Sequence, residues 1–200
     1  MAVKGYVRHD GLLGATFADG AIGSGYANGQ VLVVRVGEHD LPPDKFYGRA
    51  DTEVTGWMMV CSCGWRGTHW LRAASPAEQD LDRRLVYSAH PSPPMDAIDA
   101  ATSAEYHEHI TPIRDAVLAE LTALTGEPVH DEERLRALVG RSRELGADWA
   151  DVAGSTGLTP QAAHERWRDA PKEILTGWHW AQLDALGRLA GPEWSAGGDG

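Results

Sequence analysis

The sequence predicts an α+β fold, with a small antiparallel β-sheet and helices in the N-terminal part and an all-α helix-turn-helix module in the C-terminal part. The apolar runs at residues 12–17, 30–36 and 54–60 are typical of strands. Beyond Ser75, apolar residues recur at helical spacing and strand-like alternation does not return. Sheet-forming and helix-forming sequences are therefore separated along the chain.

A tight hairpin turn is predicted at Asn28-Gly29. These residue types tolerate the positive φ angles of a type I′ turn, whose twist matches that of the strands it joins. Tyr26 and Val31 are therefore expected on paired strands. A second hairpin is expected within residues 57–72, with the two cysteines of the chain near its tip.

Two hydroxyl-proline pairs predict helix starts, at Ser75-Pro76 and at Thr111-Pro112. In each pair the hydroxyl can cap the helix, and proline suits the first helical position because that position needs no N–H. One helix is therefore expected to end before Thr111, and another to run from there to Gly126.

Three parts are predicted along the chain. Residues 1–126 form an α+β domain with the Cys-x-Cys hairpin, residues 127–191 form the helix-turn-helix domain with a final C-terminal helix, and residues 192–200 form a disordered tail. Asp131 and the acidic residues after it mark the start of the helical module, since the helix dipole favours negative charge there. The tail is rich in glycine, which disfavours a packed structure.

The composition excludes several classes of protein. The 200 residues carry 18 basic and 29 acidic side chains, a net charge of −11, so the protein does not coat nucleic acid or anionic membranes by bulk charge. No run approaches the roughly 18 apolar residues of a membrane span. The only cysteines, Cys61 and Cys63, are too few for a disulfide framework, and a reducing cytoplasm is the expected location.

The Cys61-Ser62-Cys63-Gly64 segment predicts a metal site. Gly64 allows a tight knuckle in which both thiols point to one site, and structural zinc takes about four such sulfur or nitrogen ligands. Histidines would then supply the remaining ligands. The candidates are His69, which is close in sequence, and His90, His107 and His109.

The segment resembles short actinobacterial proteins in which a Cys-x-Cys-Gly-Trp hairpin is followed, after an Ala-rich helix, by an Ala-Glu-Trp/Tyr-x-x-His motif. Residues 61–65 match the first part, and residues 104–109 match the second. The resemblance implies that His109 is the distal zinc ligand. Residues 72–94 lengthen the spacing between the two parts and look like an insertion.

A second interpretation needs no metal. The two thiols would then be small, half-buried side chains of a hairpin, and the histidines would be polar surface residues of a helix. Redox chemistry is a third interpretation, which the strain of a Cys-x-Cys disulfide disfavours.

Residues 149–167 have the residue types and spacing of a helix-turn-helix. Ala153 is small where two helices would cross closely. Gly157 can take a positive φ angle in the turn, and Leu158 can fill the corner between the helices. Each of these residues therefore has a steric reason for its place.

The second helix of this unit is predicted to begin at Thr159-Pro160, with the threonine as N-cap and the proline at the first helical position. Ala163 and Trp167, four residues apart, would form its buried face. The residues left on the outward face are Gln161, His164, Glu165 and Arg168.

Residues 146–167 resemble the helix-turn-helix modules of the sigma-factor region 4 type in bacterial regulators, and especially those of high-GC actinobacterial proteins. The resemblance covers about forty residues with the preceding helix, and it implies binding of double-stranded DNA in the major groove. The residues that face DNA in such modules correspond to Thr159, Gln161, His164 and Arg168. Two interpretations of the final helix remain open: it forms the contact of a homodimer that reads two half-sites, or its residues pack on the core of the module itself.

Two functions remain open. Residues 133–173 carry seven basic and seven acidic side chains, whereas DNA-binding domains are usually basic. The chain could therefore be a transcriptional regulator, or a phage- or plasmid-related adaptor whose helix-turn-helix packs against protein. No motif of a known enzyme class appears, so the protein is expected not to be an enzyme.

Overall fold

The structure, a computed structural model, describes residues 9–37, 39–127 and 131–170. The strands are β1 (Gly11–Thr16), β2 (Ile22–Ala27), β3 (Gln30–Val36), β4 (His39–Asp40), β5 (Tyr47–Ala50), β6 (Gly56–Cys61), β7 (Arg66–Arg72) and β8 (Leu85–Val86). The helices are α1 (Met95–Thr125), α2 (Glu132–Glu144), α3 (Trp149–Thr156) and α4 (Pro160–Trp167). The predicted final helix, the predicted tail and the predicted dimer contact lie outside the described residues.

The strands form one eight-stranded sheet in the order β4-β3-β2-β1-β6-β7-β8, with β5 paired to β3. All pairs are antiparallel except β7–β8, which is parallel. The predicted fold class was therefore wrong in its sheet, which is large and mixed rather than small and antiparallel. The Asn28-Gly29 turn is confirmed, because φ is +50° and +71° at these residues and Tyr26 pairs with Val31.

The segment directly after Ser75 was also predicted incorrectly. Ser75-Pro76 begins only a short 3-10 turn, and the chain then returns to the sheet as β8. The reason is pairing with a neighbouring strand, because the Leu71 amide of β7 donates to the Arg84 carbonyl at 2.8 Å. Such pairing can hold residues in a strand whose own strand preference is weak. A proline at a first helical position favours a turn but does not sustain a helix.

Helix α1 runs unbroken for 31 residues through Pro112, where a new helix was predicted to start. The Thr111 hydroxyl turns back to the His107 carbonyl at 2.8 Å instead of capping a new helix. Among the described residues, no helix combines the length and the apolar character needed to cross a membrane.

The helical part is not a separate C-terminal module. The order is sheet first and then four helices, and the chain divides into two compact units within α1, between Tyr106 and His107. The sheet unit contains the described part of residues 8–106, and the helical unit contains that of residues 107–174. Because one helix belongs to both units, the predicted all-α module is not a correct description of the fold.

Both faces of the sheet bury apolar side chains, as alternation along β3 shows. Val31 and Val33 join the larger core around Trp57, whereas Leu32 and Val34 form a second cluster with Leu12 and Phe46 on the other face. Trp57 is completely buried, and its indole N–H donates to the Pro91 carbonyl at 2.9 Å. A buried indole is well accommodated when its polar atom has such a partner.

Replacing Pro112 by alanine is expected to stabilise the helical unit. Pro112 is an exposed residue in a helix interior, where proline costs about 3 kcal/mol relative to alanine because it removes one backbone hydrogen bond and crowds the preceding turn. Urea unfolding followed by circular dichroism measures the gain. Pro160→Ala is the matched control. Proline is well accommodated in the first turn of α4, so this substitution should change the free energy of unfolding by only about a few tenths of a kcal/mol. No gain at Pro112 would contradict a continuous α1.

Candidate functional site

The pairing of β1 with β6 brings the N-terminal segment to the cysteines. Gly11 lies opposite Cys61 in this antiparallel register. The pairing continues one residue further, because the Ser62 amide donates to the Asp10 carbonyl at 3.0 Å and the Asp10 amide donates to Ser62 Oγ at 2.9 Å. His9, the next residue, is thereby placed beside the cysteines.

The two cysteines lie at the tip of the β6–β7 hairpin. The turn is closed by the Cys61 amide, which donates to the Trp65 carbonyl at 2.8 Å, and by the Gly64 amide, which donates to the Cys61 carbonyl at 3.0 Å. Gly64 has φ of +98°, a conformation that favours glycine. The Cys-Ser-Cys-Gly segment therefore forms the tight knuckle that its glycine predicts.

The first part of α1 is attached to this end of the sheet. The Tyr106 hydroxyl donates to the His9 carbonyl at 2.7 Å, and the Thr68 amide donates to Glu105 Oε2 at 2.8 Å. The Tyr106 ring occupies the space above Gly11, where an added Cβ would lie 2.6 Å from the ring. His109 follows Tyr106 by about one turn of the same helix, so its position follows from that of Tyr106.

These elements gather four metal-ligating side chains: His9, Cys61, Cys63 and His109. One ligand atom from each lies within 4.8 Å of all the others. Cys61 Sγ and His9 Nδ1 are 3.6 Å apart. A tetrahedral zinc site with bonds of about 2.3 Å to sulfur and about 2.0 Å to nitrogen separates such atoms by about 3.5 Å. The group could therefore hold a metal ion, and its sulfur and nitrogen donors suit one.

Burial shifts the pKa of two of these side chains, Cys61 and His109. It raises the pKa of the Cys61 thiol to about 12, so this thiol is protonated at neutral pH unless a cation replaces the proton. Burial also lowers the pKa of His109, which keeps its imidazole neutral and able to donate a lone pair. In both cases burial is the largest cause of the shift in pKa.

The structure brings Cys61, Cys63 and His109 together with His9, and not with His69. His69 lies opposite Met58 in the β6–β7 ladder, and its Nε2 is 2.8 Å from Thr16 Oγ1. His9 was missed because it is 52 residues from Cys61 and belongs to no local motif. Only the register of β1 against β6 reveals it.

The turn between α3 and α4 has the predicted conformation. Gly157 has φ of +69°, and the Leu158 amide donates to the Ala153 carbonyl at 3.2 Å. A capping box of Asp148 and Asp151 starts α3, because each side chain accepts from the other residue's backbone amide. These contacts fix where α3 begins and where it turns.

Thr159 is the N-cap of α4, and its hydroxyl accepts from the Ala162 amide at 3.2 Å. Ala163 and Trp167 are buried as predicted, with 0% and 1% of their surface exposed. The remaining residues that were predicted to face DNA are all exposed: Gln161, His164 and Arg168. The helix therefore has one buried and one polar face.

The polar face of α4 is partly neutralised. Arg166 pairs with Glu132 at 2.8 Å, and Arg168 Nε lies 3.7 Å from the Asp169 carboxylate. The His164 ring makes an edge contact with Trp149, with ring centroids 5.2 Å apart. Arg168 is the more available cation of the two, since its side chain is 66% exposed.

No protein-family model matches this chain, and no curated protein or solved structure matches it either. Two features of the structure bear on its function, the group of four metal-ligating residues and the exposed face of α4.

Acidification is expected to destabilise the metal-free protein through His69. Burial lowers the pKa of His69 in the folded state below its ordinary value of 6.5, so the neutral form contributes stability above about pH 6.5 that is lost as the pH falls further. Urea unfolding in the presence of a chelator, at about pH 7.5 and about pH 5.5, measures this loss. His69→Gln should lose less stability than the wild type over this interval, and equal losses would contradict the assignment.

Proposed function

We propose that the protein binds double-stranded DNA, with α4 in the major groove, and acts as a transcriptional regulator. The observation that carries this proposal is the polar face of α4, which is exposed while Ala163 and Trp167 anchor the opposite face. A helix held in this way after a tight turn is the arrangement that reads base edges in helix-turn-helix proteins. Gln161 and His164 are the base-reading residues, and Thr159 and Arg168 contact the backbone or flanking bases.

DNA binding is tested with purified protein and mixed genomic fragments over a series of salt concentrations. Arg168→Ala should weaken binding and reduce the slope of log affinity against log salt by about 1, because one phosphate contact is lost. Lys45→Ala is the matched control. Lys45 is similarly exposed and also lies near one carboxylate, at 3.8 Å from Asp44, but it belongs to the sheet unit.

Equal effects of the two substitutions would indicate that only net charge matters and would remove α4 from the interface. No retention of any fragment at low salt would favour the second candidate function, a protein-interaction adaptor. That candidate is supported by the net charge of −11 and by the Arg166–Glu132 ion pair, which reduces the positive charge available to phosphates.

The metal that we propose for the group of four residues is zinc, in a structural role. Two thiolates and two imidazoles are a donor set that zinc prefers, and four protein ligands leave no open position for a substrate or a reactive water. The proposal therefore assigns no enzymatic activity to this site. Neither cysteine is part of a disulfide, which suits a reducing compartment such as the cytoplasm.

One zinc ion per chain is expected in the purified protein, as measured by elemental analysis. His9→Gln and Cys63→Ser should each weaken zinc binding by at least about tenfold, since each removes a ligand. His69→Gln is the control, because His69 bonds to Thr16 and lies outside the group. Retention of zinc by His9→Gln together with loss in His69→Gln would contradict the ligand set.

A further inference from the structure

Two ligands of the proposed metal site have their own backbone carbonyls held by a distant side chain. The Tyr106 hydroxyl donates to the His9 carbonyl, and Arg35 Nη1 donates to the Cys61 carbonyl, each at 2.7 Å. In both cases the bond is made to the ligand residue itself rather than to a neighbour. Such a bond fixes the backbone from which the ligating side chain projects.

Arg35 reaches Cys61 from an unexpected place. It lies on β3, which is separated from β6 by β2 and β1 in the sheet order. Arg66, at the start of β7, also donates to the Gly37 carbonyl just after β3. The end of β3 is therefore held against the β6–β7 turn, although β3 is the third strand from β6 in the sheet.

Arg35 is also a buried cation, with 3% of its surface exposed. Burial of a guanidinium is costly unless it is paired and hydrogen-bonded. Asp40 supplies the charge, since its Oδ1 lies 2.7 Å from Nε and 2.6 Å from Nη2 of Arg35, and Cys61 supplies the carbonyl. Arg35 Nη1 keeps this partner while the knuckle holds its position.

Tyr106 holds the other segment in a comparable way. Its ring packs over Gly11, where no side chain would fit, and Trp65 lies beside it with ring centroids 6.2 Å apart. The hydroxyl then bonds to the His9 carbonyl, two residues before Gly11. Tyr106 therefore connects the His9 segment, the knuckle and the helix that carries His109.

We propose that Arg35 and Tyr106 are positioning residues of the metal centre, which hold the backbones of Cys61 and His9 in the geometry that binds the ion. The proposal rests on the metal site proposed above. Residues outside the ligand set commonly affect metal affinity by 10–100-fold through such bonds. Neither residue contacts the metal in this assignment.

The test uses Co²⁺ as the metal, because its visible absorption bands report ligand type and geometry. The full-length metal-free protein is titrated with Co²⁺ in competition with a chelator, for the wild type, Tyr106→Phe and Arg35→Lys. Tyr106→Phe keeps the ring and removes only the hydroxyl, while Arg35→Lys keeps the charge and removes the forked donor. Urea unfolding of each metal-free variant measures stability separately.

Matched controls make the same chemical changes elsewhere in the sheet unit. Arg72→Lys alters another arginine whose guanidinium donates to backbone carbonyls, those of Asp51 and Ser88, neither of which is a ligand. Tyr26→Phe removes the hydroxyl of an exposed tyrosine on β2. These variants show how much of any effect belongs to the substitution itself.

Tyr106→Phe and Arg35→Lys should each weaken Co²⁺ binding by about tenfold or more and alter the absorption bands, whereas the controls should leave both unchanged. Affinities equal to those of the controls, or losses that match the loss of metal-free stability with unchanged bands, would overturn the positioning role. A wild-type protein that takes up no Co²⁺ would overturn the metal site, and this proposal with it.

Discussion

The antiparallel pairing of β1 with β6 is the constraint on which the rest of the sheet unit depends. Gly11 lies opposite Cys61, and the pairing extends through Asp10 and Ser62 to the edge of the knuckle. The glycine leaves the space that the Tyr106 ring fills, which in turn attaches α1 to this end of the sheet. A single register therefore determines which side chains meet at the candidate metal centre.

Metal binding and strand pairing would stabilise each other in this arrangement. The four ligands come from three parts of the chain, around residues 9, 61–63 and 109. An ion that binds them closes long loops, so part of its binding free energy would be folding free energy. Buried Arg35 and half-buried Tyr106 would contribute as well, because they bond to the backbone carbonyls of Cys61 and His9 and so restrict the same segments.

Turns with positive φ angles were predictable from the sequence, and the register between distant strands was not. The Asn28-Gly29 turn and the Gly157 turn follow from residues that tolerate positive φ, and the Thr159 cap follows from a hydroxyl before proline. His9 could not be found, because its role depends on a register between strands far apart in sequence. The prediction at Pro112 was wrong for a related reason, since α1 continues through this proline with Ile110 and Val117 buried on either side of it.

The claim that Cys61, Cys63, His9 and His109 form one zinc site is tested most directly by X-ray absorption at the zinc edge of the zinc-loaded protein. The account predicts two sulfur scatterers at about 2.3 Å and two nitrogen scatterers at about 2.0 Å from each zinc ion. A shell of nitrogen and oxygen alone, or more than two sulfurs per zinc, would contradict it, because one chain offers only two thiolates.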